Sequence, residues 1–317
     1  MRRNLFILLI LLMLAACSPE SQSGGINPMQ NFNAMWDYQK PDQTEQLFLS
    51  VLKTVKNSAE TSYDRNYHVE LLTQIARAQG MQGRFELAEQ TLNSADSLIT
   101  ENTKTGKIRF LLEKGRLLNS SDKREDAGSI FLQAYNYGTA QKLDFYTLDS
   151  IHMLAIVESP EKQLAWNLKA INIAANSDDM RCKSSLGTLY SKVGWRYHDL
   201  ADYAKAMEYF QDGLEYRQNS NDAKATRIAK WTVGRCYRSL KEYAKAKEIM
   251  LALEKEIDEN ELPKDGYVYE ELAELYQLEK DSKAKKYFGL AYQIQSQDSW
   301  IVKNEAEKLA RMKKIAE

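Results

Sequence analysis

One short sequence cassette occurs twice in this chain in nearly identical form. Residues 193–197 read Val-Gly-Trp-Arg-Tyr and residues 233–237 read Val-Gly-Arg-Cys-Tyr, and an acid-Tyr-Ala-Lys-Ala segment follows each, at 202–206 and 242–246. A glycine, an aromatic residue and an alanine therefore recur at one fixed spacing. This pattern is typical of a two-helix unit that cannot bury its apolar face alone, so that copies stack and share one core. The repetition predicts a stack of helix pairs.

The composition agrees with a mostly helical chain. The 317 residues include only five prolines and fourteen glycines, and alanine, leucine, lysine and glutamate are common. Loss of Arg2 and Arg3 with an N-terminal leader leaves a net charge of about −3. That charge is too close to neutral to indicate nucleic-acid binding, so we expect no nucleic-acid partner.

The first sixteen residues are predicted to be a leader rather than part of the fold. A charged start at Arg2 and Arg3 precedes a short apolar run from Leu5 to Leu14. A membrane-spanning helix needs about 20 apolar residues, so residues 1–16 are typical of a secretory signal peptide.

The end of this leader, Leu14-Ala15-Ala16-Cys17, resembles a bacterial lipobox. The resemblance implies that Cys17 is acylated, with palmitate among its chains, and becomes the mature N-terminus of a membrane-anchored lipoprotein. Ser18 after the cysteine favours the outer membrane by the same resemblance. The alternative is ordinary cleavage after Ala16, which leaves a soluble periplasmic protein.

The rest of the chain divides by composition and periodicity. Met35 and Trp36 interrupt a polar stretch and are expected to dock on the first helix. The predicted segments are a flexible tether over residues 17–42, a leading unpaired helix within 43–64, helix-pair repeats over 65–299 and a C-terminal capping helix over 300–317.

The repeats resemble the tetratricopeptide repeat, in which a small residue and an aromatic on the first helix precede an alanine and a second aromatic on the second helix. The residues that carry the resemblance, and that we expect to pack the repeats together, are Ala88, Ala127, Gly194, Tyr197, Ala206, Phe210, Gly234, Tyr237, Ala246, Ala284 and Phe288. The resemblance implies an all-α fold, a right-handed superhelical solenoid of about six antiparallel helix pairs with a C-terminal capping helix.

In tetratricopeptide proteins the first helix of each repeat lines a concave groove that binds a partner. Carried onto this sequence, the resemblance places in the groove Arg77, Arg116, Trp195, His198, Trp231, Arg235, Arg238 and Tyr267. Arginine together with tryptophan and tyrosine is the composition of binding hot spots, which favours a peptide of acidic character. The other interpretation is that Trp195 and Trp231 pack between repeats and that the arginines pair with nearby glutamates.

No catalytic or metal-binding motif stands out. His68, His152 and His198 lack the paired spacing of metal ligands, and no phosphate-binding loop or nucleophile elbow occurs. We therefore expect no enzyme activity, no metal and no cofactor. The leading interpretation is a lipid-anchored scaffold that binds another protein or peptide of the bacterial cell envelope. The alternatives are a nutrient-binding lipoprotein similar to the SusD-like glycan binders, and a sensory input module of a signalling system.

Overall fold

The fold is described from a computed structural model over residues 31–57 and 63–317, and within these residues every regular element is a helix. The predicted signal peptide over residues 1–16 and the acylated Cys17 lie outside the described residues. The chain forms two compact units that meet in sequence between Met153 and Leu154.

Unit 1 contains two complete helix pairs, α3 with α4 and α5 with α6, preceded by α1 and α2. Successive helices from α2 to α6 pack on one another, and α3 also packs on α5. The helices of unit 1 are α1 (Phe32–Met35), α2 (Pro41–Lys56), α3 (Arg65–Met81), α4 (Phe85–Asp96), α5 (Lys104–Ser120) and α6 (Arg124–Ala140), and α7 (Asp144–Val157) begins in it.

Unit 2 repeats the arrangement with three helix pairs, α10 with α11, α12 with α13 and α14 with α15. Its helices are α8 (Pro160–Asn176), α9 (Met180–Lys183), α10 (Leu186–Asp199), α11 (Tyr203–Asn219), α12 (Ala223–Ser239), α13 (Tyr243–Glu259), α14 (Gly266–Leu278), α15 (Lys283–Gln295), α16 (Ser299–Asn304) and α17 (Ala306–Ala316). The predicted all-α stack of antiparallel helix pairs is thus confirmed within each unit.

The N-terminal boundaries differ from the predicted ones. Residues 31–42, assigned to the tether, belong to the folded part, because Phe32 and Met35 are only 5% and 8% exposed. Trp36 packs edge-on against Phe48 of α2, with ring centroids 5.4 Å apart. The leading helix begins at Pro41, whose missing N–H is not needed in a first helical turn. It is not unpaired, since α1 packs on it through Phe32 and it packs along α3.

The predicted single capping helix over residues 300–317 is two helices, α16 and α17, divided at Glu305. The Asp298 carboxylate accepts the Trp300 backbone N–H at 2.8 Å and so begins α16 at Ser299. Met312 of α17 is fully buried in the core that α13, α14 and α15 build. α17 therefore covers the apolar end of unit 2.

The small residue on each first helix lies directly against the large apolar residue on its second helix. A Cβ added to Gly194 would lie 2.5 Å from two ring carbons of Phe210, and one added to Gly115 would lie 2.4 Å from Phe131. At Gly234 the nearest atom is the terminal methyl of Met250, at 2.6 Å. These glycines set how closely the paired helices approach.

The turns between helices share one backbone conformation. In the turn from α10 to α11, Ala201 has a φ of +59° and the Asp202 N–H donates to the Tyr197 carbonyl at 3.0 Å. This is the bond of a Schellman motif, which ends a helix through one left-handed residue. The same positive φ occurs in the described turns at Gly83, Asp122, Lys142, Asn221, Lys241, Glu261 and Lys280.

Ala201→Gly is expected to stabilise unit 2 by up to about 1 kcal/mol. A left-handed alanine costs about 1–2 kcal/mol, which exceeds the conformational entropy that glycine loses on folding. Ala201 is exposed, so no contact is lost. Urea unfolding measures the change. The matched control is Ala252→Gly on the exposed side of α13, which should lower stability by about 1 kcal/mol. A lower free energy of unfolding in both variants would contradict the left-handed conformation of Ala201.

Gly194→Ala is expected to lower the free energy of unfolding by up to about 2 kcal/mol. Overpacking against the Phe210 ring costs about 1–3 kcal/mol, and the better helix propensity of alanine returns about 1 kcal/mol. Gly234→Ala is the milder comparison, because the flexible Met250 methyl can move away and the next neighbour, the Ile249 Cγ2, would lie 3.1 Å from the new Cβ rather than the 2.5 Å of the Phe210 ring. Thermal unfolding of the two variants should therefore rank Gly194→Ala as the less stable, and equal melting temperatures would refute this account.

Candidate binding face on the first helices

Three aromatic side chains form a continuous run across the first helices of unit 2. Trp195 on α10, Trp231 on α12 and Tyr267 on α14 are called the aromatic strip. Their ring centroids are 6.1 Å apart from Trp195 to Trp231 and 5.9 Å from Trp231 to Tyr267. Trp231 and Tyr267 are 36 residues apart, and the same interval separates the two tryptophans. One residue per repeat therefore builds the strip.

The strip combines internal packing with exposure. Trp195 lies edge-on to Phe210, with centroids 5.1 Å apart, and the Trp231 indole N–H donates to the Tyr267 carbonyl at 3.2 Å. Both tryptophans are half-buried, whereas Tyr267 is 41% exposed. Rings held in fixed positions with one side accessible offer contact area at a low entropy cost.

Two arginines beside the strip share one buried carboxylate. The Arg238 Nε donates to the Glu271 Oε2 at 2.6 Å and its Nη2 donates to Oε1 at 2.9 Å. The Arg235 Nε lies 3.0 Å from the same Oε1. Glu271 is only 3% exposed. The carboxylate therefore fixes the position of both guanidinium groups.

A histidine completes this cluster. The His198 Nε2 and the Ser239 hydroxyl are 2.8 Å apart, and the Arg235 Nη1 donates to the same hydroxyl at 2.9 Å. Burial, together with the charges of Arg235 and Arg238, lowers the pKa of His198 to about 4. His198 is therefore neutral at pH 7. All six predicted groove residues of unit 2 thus lie in one set of contacts.

The two predicted residues of unit 1 also meet at a buried carboxylate. Arg116 donates to Glu113 at 2.6 Å and to both oxygens of Asp149 at 2.5 and 2.7 Å. Arg77 lies 3.5 Å from Glu113 and stacks over the Trp36 ring at 5.6 Å. Burial would raise the pKa of Asp149, but the Arg116 guanidinium holds it below its usual range.

Sequence reasoning selected the arginines and missed the acids that hold them. Glu113, Asp149 and Glu271 each bind an arginine on the preceding first helix, at separations of 36, 33 and 33 residues. We call these contacts the ion-pair ladder. The separation is close to one repeat, so an acid and an arginine one repeat apart are the signal that could have revealed them. The ladder thus gives the arginines acidic partners within the protein, as in the interpretation of the sequence in which the arginines pair with nearby glutamates.

The described residues give no support for metal chemistry or for a membrane-spanning helix. Within residues 31–57 and 63–317, no three or more histidine, cysteine, aspartate or glutamate side chains form a group that could hold a metal ion. Over the same ranges no helix is both long and apolar enough to cross a bilayer.

Residues 187–220 match the family model for the tetratricopeptide repeat. The match spans nearly all of α10 and α11, the first helix pair of the aromatic strip. Among curated proteins, none matches the chain in sequence.

Solved structures of tetratricopeptide type are similar to this chain. The apo form of RapI gives a TM-score of 0.66 at 16% identity, covering 84% of this chain and 75% of that one. Aspartyl phosphate phosphatase F from Bacillus subtilis gives 0.51 at 16% identity, with coverages of 83% and 70%.

A third similar structure is a signal transduction ATPase with numerous domains from Pyrococcus horikoshii, which carries a tetratricopeptide repeat sensor. Its TM-score is 0.63 at 18% identity, over 88% of this chain. This chain spans only 44% of the length of that protein. At such identities the likeness shows the fold alone. Residues 187–220 thus form a tetratricopeptide repeat, and the similar structures show that the fold is of the tetratricopeptide type.

Glu271→Gln is expected to destabilise unit 2 by roughly 2–3 kcal/mol, because it leaves two partly buried guanidinium groups without their carboxylate. The matched control is Glu274→Gln, which removes an ion pair to Arg311, whose side chain is 46% exposed. A pair of that kind contributes less than about 1 kcal/mol. Urea unfolding at low and high salt checks both values, and a similar small loss in both variants would show that the shared carboxylate does not stabilise the face.

Proposed function

We propose that this chain is a lipid-anchored, non-catalytic tetratricopeptide scaffold of the bacterial cell envelope that binds a segment of another envelope protein along the aromatic strip. The observation that carries the proposal is the run of Trp195, Trp231 and Tyr267, one residue per repeat, beside two fixed arginines. Aromatic and arginine side chains dominate the energy of protein interfaces.

The charges beside the strip favour a partner segment of acidic character. Arg235 and Arg238 carry two positive charges against the single carboxylate of Glu271, so one positive charge is in excess at this pair. The neighbouring Lys308 and Arg311 do not add to the excess, because Glu270 and Glu274 of α14 pair with them and Glu305 also pairs with Lys308. A carboxylate of the partner would complete the arrangement with charge-assisted hydrogen bonds.

Membrane anchoring rests on the leader sequence. Leu14-Ala15-Ala16-Cys17 supports acylation of Cys17, and Ser18 supports retention at the outer membrane. Each buried methylene contributes about 0.8 kcal/mol, so two or more acyl chains hold a protein stably on a bilayer.

Cys17→Ala is expected to abolish labelling of the protein by radioactive palmitate and to release it from the membrane fraction. The reason is that the substitution removes the thiol to which the lipid attaches. Cys182→Ala serves as the control and should keep both properties. Equal labelling of the two variants would contradict lipidation at Cys17.

A sensory input module is the second candidate. The similar ATPase from Pyrococcus horikoshii uses a tetratricopeptide repeat sensor, which makes a sensory role for the same fold in this chain a specific alternative. Such a module would bind its signal and a downstream protein in turn. A glycan-binding lipoprotein is the third candidate, although the aromatic residues of the strip lie within helices rather than on loops.

Site-specific photocrosslinking in cells distinguishes these functions. A photoreactive residue in place of the exposed Tyr267 is expected to crosslink one envelope protein, and Trp231→Ala is expected to abolish that crosslink by removing the neighbouring anchor. The matched control position is Tyr216, a half-buried tyrosine on the second helix α11. Equal crosslinking at both positions would overturn the proposed face, and binding of a carbohydrate in place of a protein would favour the glycan candidate.

A further inference from the structure

A cavity of about 370 Å³ lies in unit 1 between α2, α3 and α4. Its volume falls within the range of about 300–1,000 Å³ that is usual for small-molecule sites. It belongs to a different unit from the aromatic strip and shares no residue with it.

The floor of the cavity is apolar. Leu49 and Leu52 from α2 and Leu72 and Ile75 from α3 line it, at the three-residue spacing that places side chains on one face of a helix. Leu72 and Ile75 are 6% and 1% exposed, so these walls are fixed parts of the core. The floor suits a hydrocarbon chain.

One end of the cavity carries hydrogen-bond donors and positive charge. Lys56 and His68 both line it. His68 is only 7% exposed, its Nδ1 lies 2.7 Å from the Tyr63 hydroxyl, and its buried Nε2 has no hydrogen-bond partner among the described residues. Burial, together with the Lys56 charge, lowers the pKa of His68, so the ring is neutral at pH 7. In the tautomer that accepts the Tyr63 hydroxyl proton at Nδ1, the neutral ring has its own proton on Nε2 and can donate it to a ligand.

The wall from α4 offers acceptors instead of donors. The Thr91 hydroxyl donates to the Gln79 side-chain oxygen at 2.8 Å, and the Ser94 hydroxyl donates to the Gln90 carbonyl at 3.1 Å. The hydroxyl protons of Thr91 and Ser94 are therefore engaged in these hydrogen bonds, and the two hydroxyl oxygens can act only as acceptors for a ligand in the cavity. An anionic group is thus favoured at the Lys56 and His68 end alone.

We propose that this cavity binds a small aliphatic carboxylate, whose chain lies along the leucines and whose carboxylate accepts a hydrogen bond from the His68 Nε2 and pairs with Lys56. The His68 Nε2, which has no partner among the described residues, would then donate to the carboxylate of the ligand. This bond removes the free-energy cost of a buried nitrogen without a hydrogen bond. The long side chain of Lys56, which is exposed and lines the cavity, supplies the positive charge that pairs with the carboxylate.

The test uses decanoate as the probe and histidine NMR as the readout, since the chain has only three histidines. Decanoate is expected to shift the His68 ring signals saturably and to raise the pKa of His68, because a nearby carboxylate stabilises the charged ring. Decanol should bind along the same leucines without raising that pKa. His152 and His198 serve as internal references and should not move.

A pair of lysine variants locates the carboxylate. Lys56→Met is expected to weaken decanoate binding about tenfold through loss of a charge-assisted contact and to leave decanol unchanged. Lys53→Met is the matched control, an exposed lysine on α2 that does not line the cavity. Both variants change an exposed side chain and should keep the circular dichroism of the parent. Absence of a saturable His68 shift at millimolar decanoate, or equal effects of the two lysine variants, would overturn the proposal. Neither result bears on the aromatic strip.

Discussion

The close approach of paired helices at a small residue is the contact on which the rest of the structure depends. Gly115, Gly194 and Gly234 leave no space for a Cβ, and the side chains of Phe131, Phe210 and Met250 fill the place where one would lie. Each pair buries its aromatic or methionine side chain almost completely. This close contact fixes the distance and the crossing angle between the two helices of a pair, and so the position of the first helix of the next pair. In unit 2 the rings of the aromatic strip, one on each first helix, are thereby held next to one another.

The ion-pair ladder explains how polar side chains are tolerated along the same face. Each acid of the ladder belongs to one first helix and holds an arginine from the preceding one, so the charge of the acid is compensated and the arginine is oriented. The arginines are therefore structural groups first. Where two of them share the carboxylate of Glu271, a positive charge is left in excess, and this is the place where we propose that a carboxylate of the partner binds.

The two units differ in how they offer a ligand surface. In unit 2 the first helices carry the rings of the aromatic strip, where Trp195 packs on Phe210 and on Trp231. Such a row of half-buried rings suits an extended segment of a protein. In unit 1 the N-terminal residues Phe32 and Trp36 pack against α2, and the accessible volume lies instead among α2, α3 and α4. An open-mouthed apolar cavity with donors at one end suits a small molecule rather than a peptide. The two proposed sites thus differ in kind although both units are built from helix pairs.

The sequence by itself determined the helix pairs and the residues that join them, because a glycine, an aromatic and an alanine at fixed spacing can bury their surfaces in only one way. The resemblance of the sequence to the tetratricopeptide repeat also placed Trp195, Trp231 and Tyr267 on the first helices, on the face that would line a groove. The tertiary structure alone decided which acids hold the arginines, where the N-terminal residues pack and that the buried His68 Nε2 has no hydrogen-bond partner among residues 31–57 and 63–317. These features depend on side chains that meet across helices, and a helical period fixes neighbours within one helix but not the distance to the next.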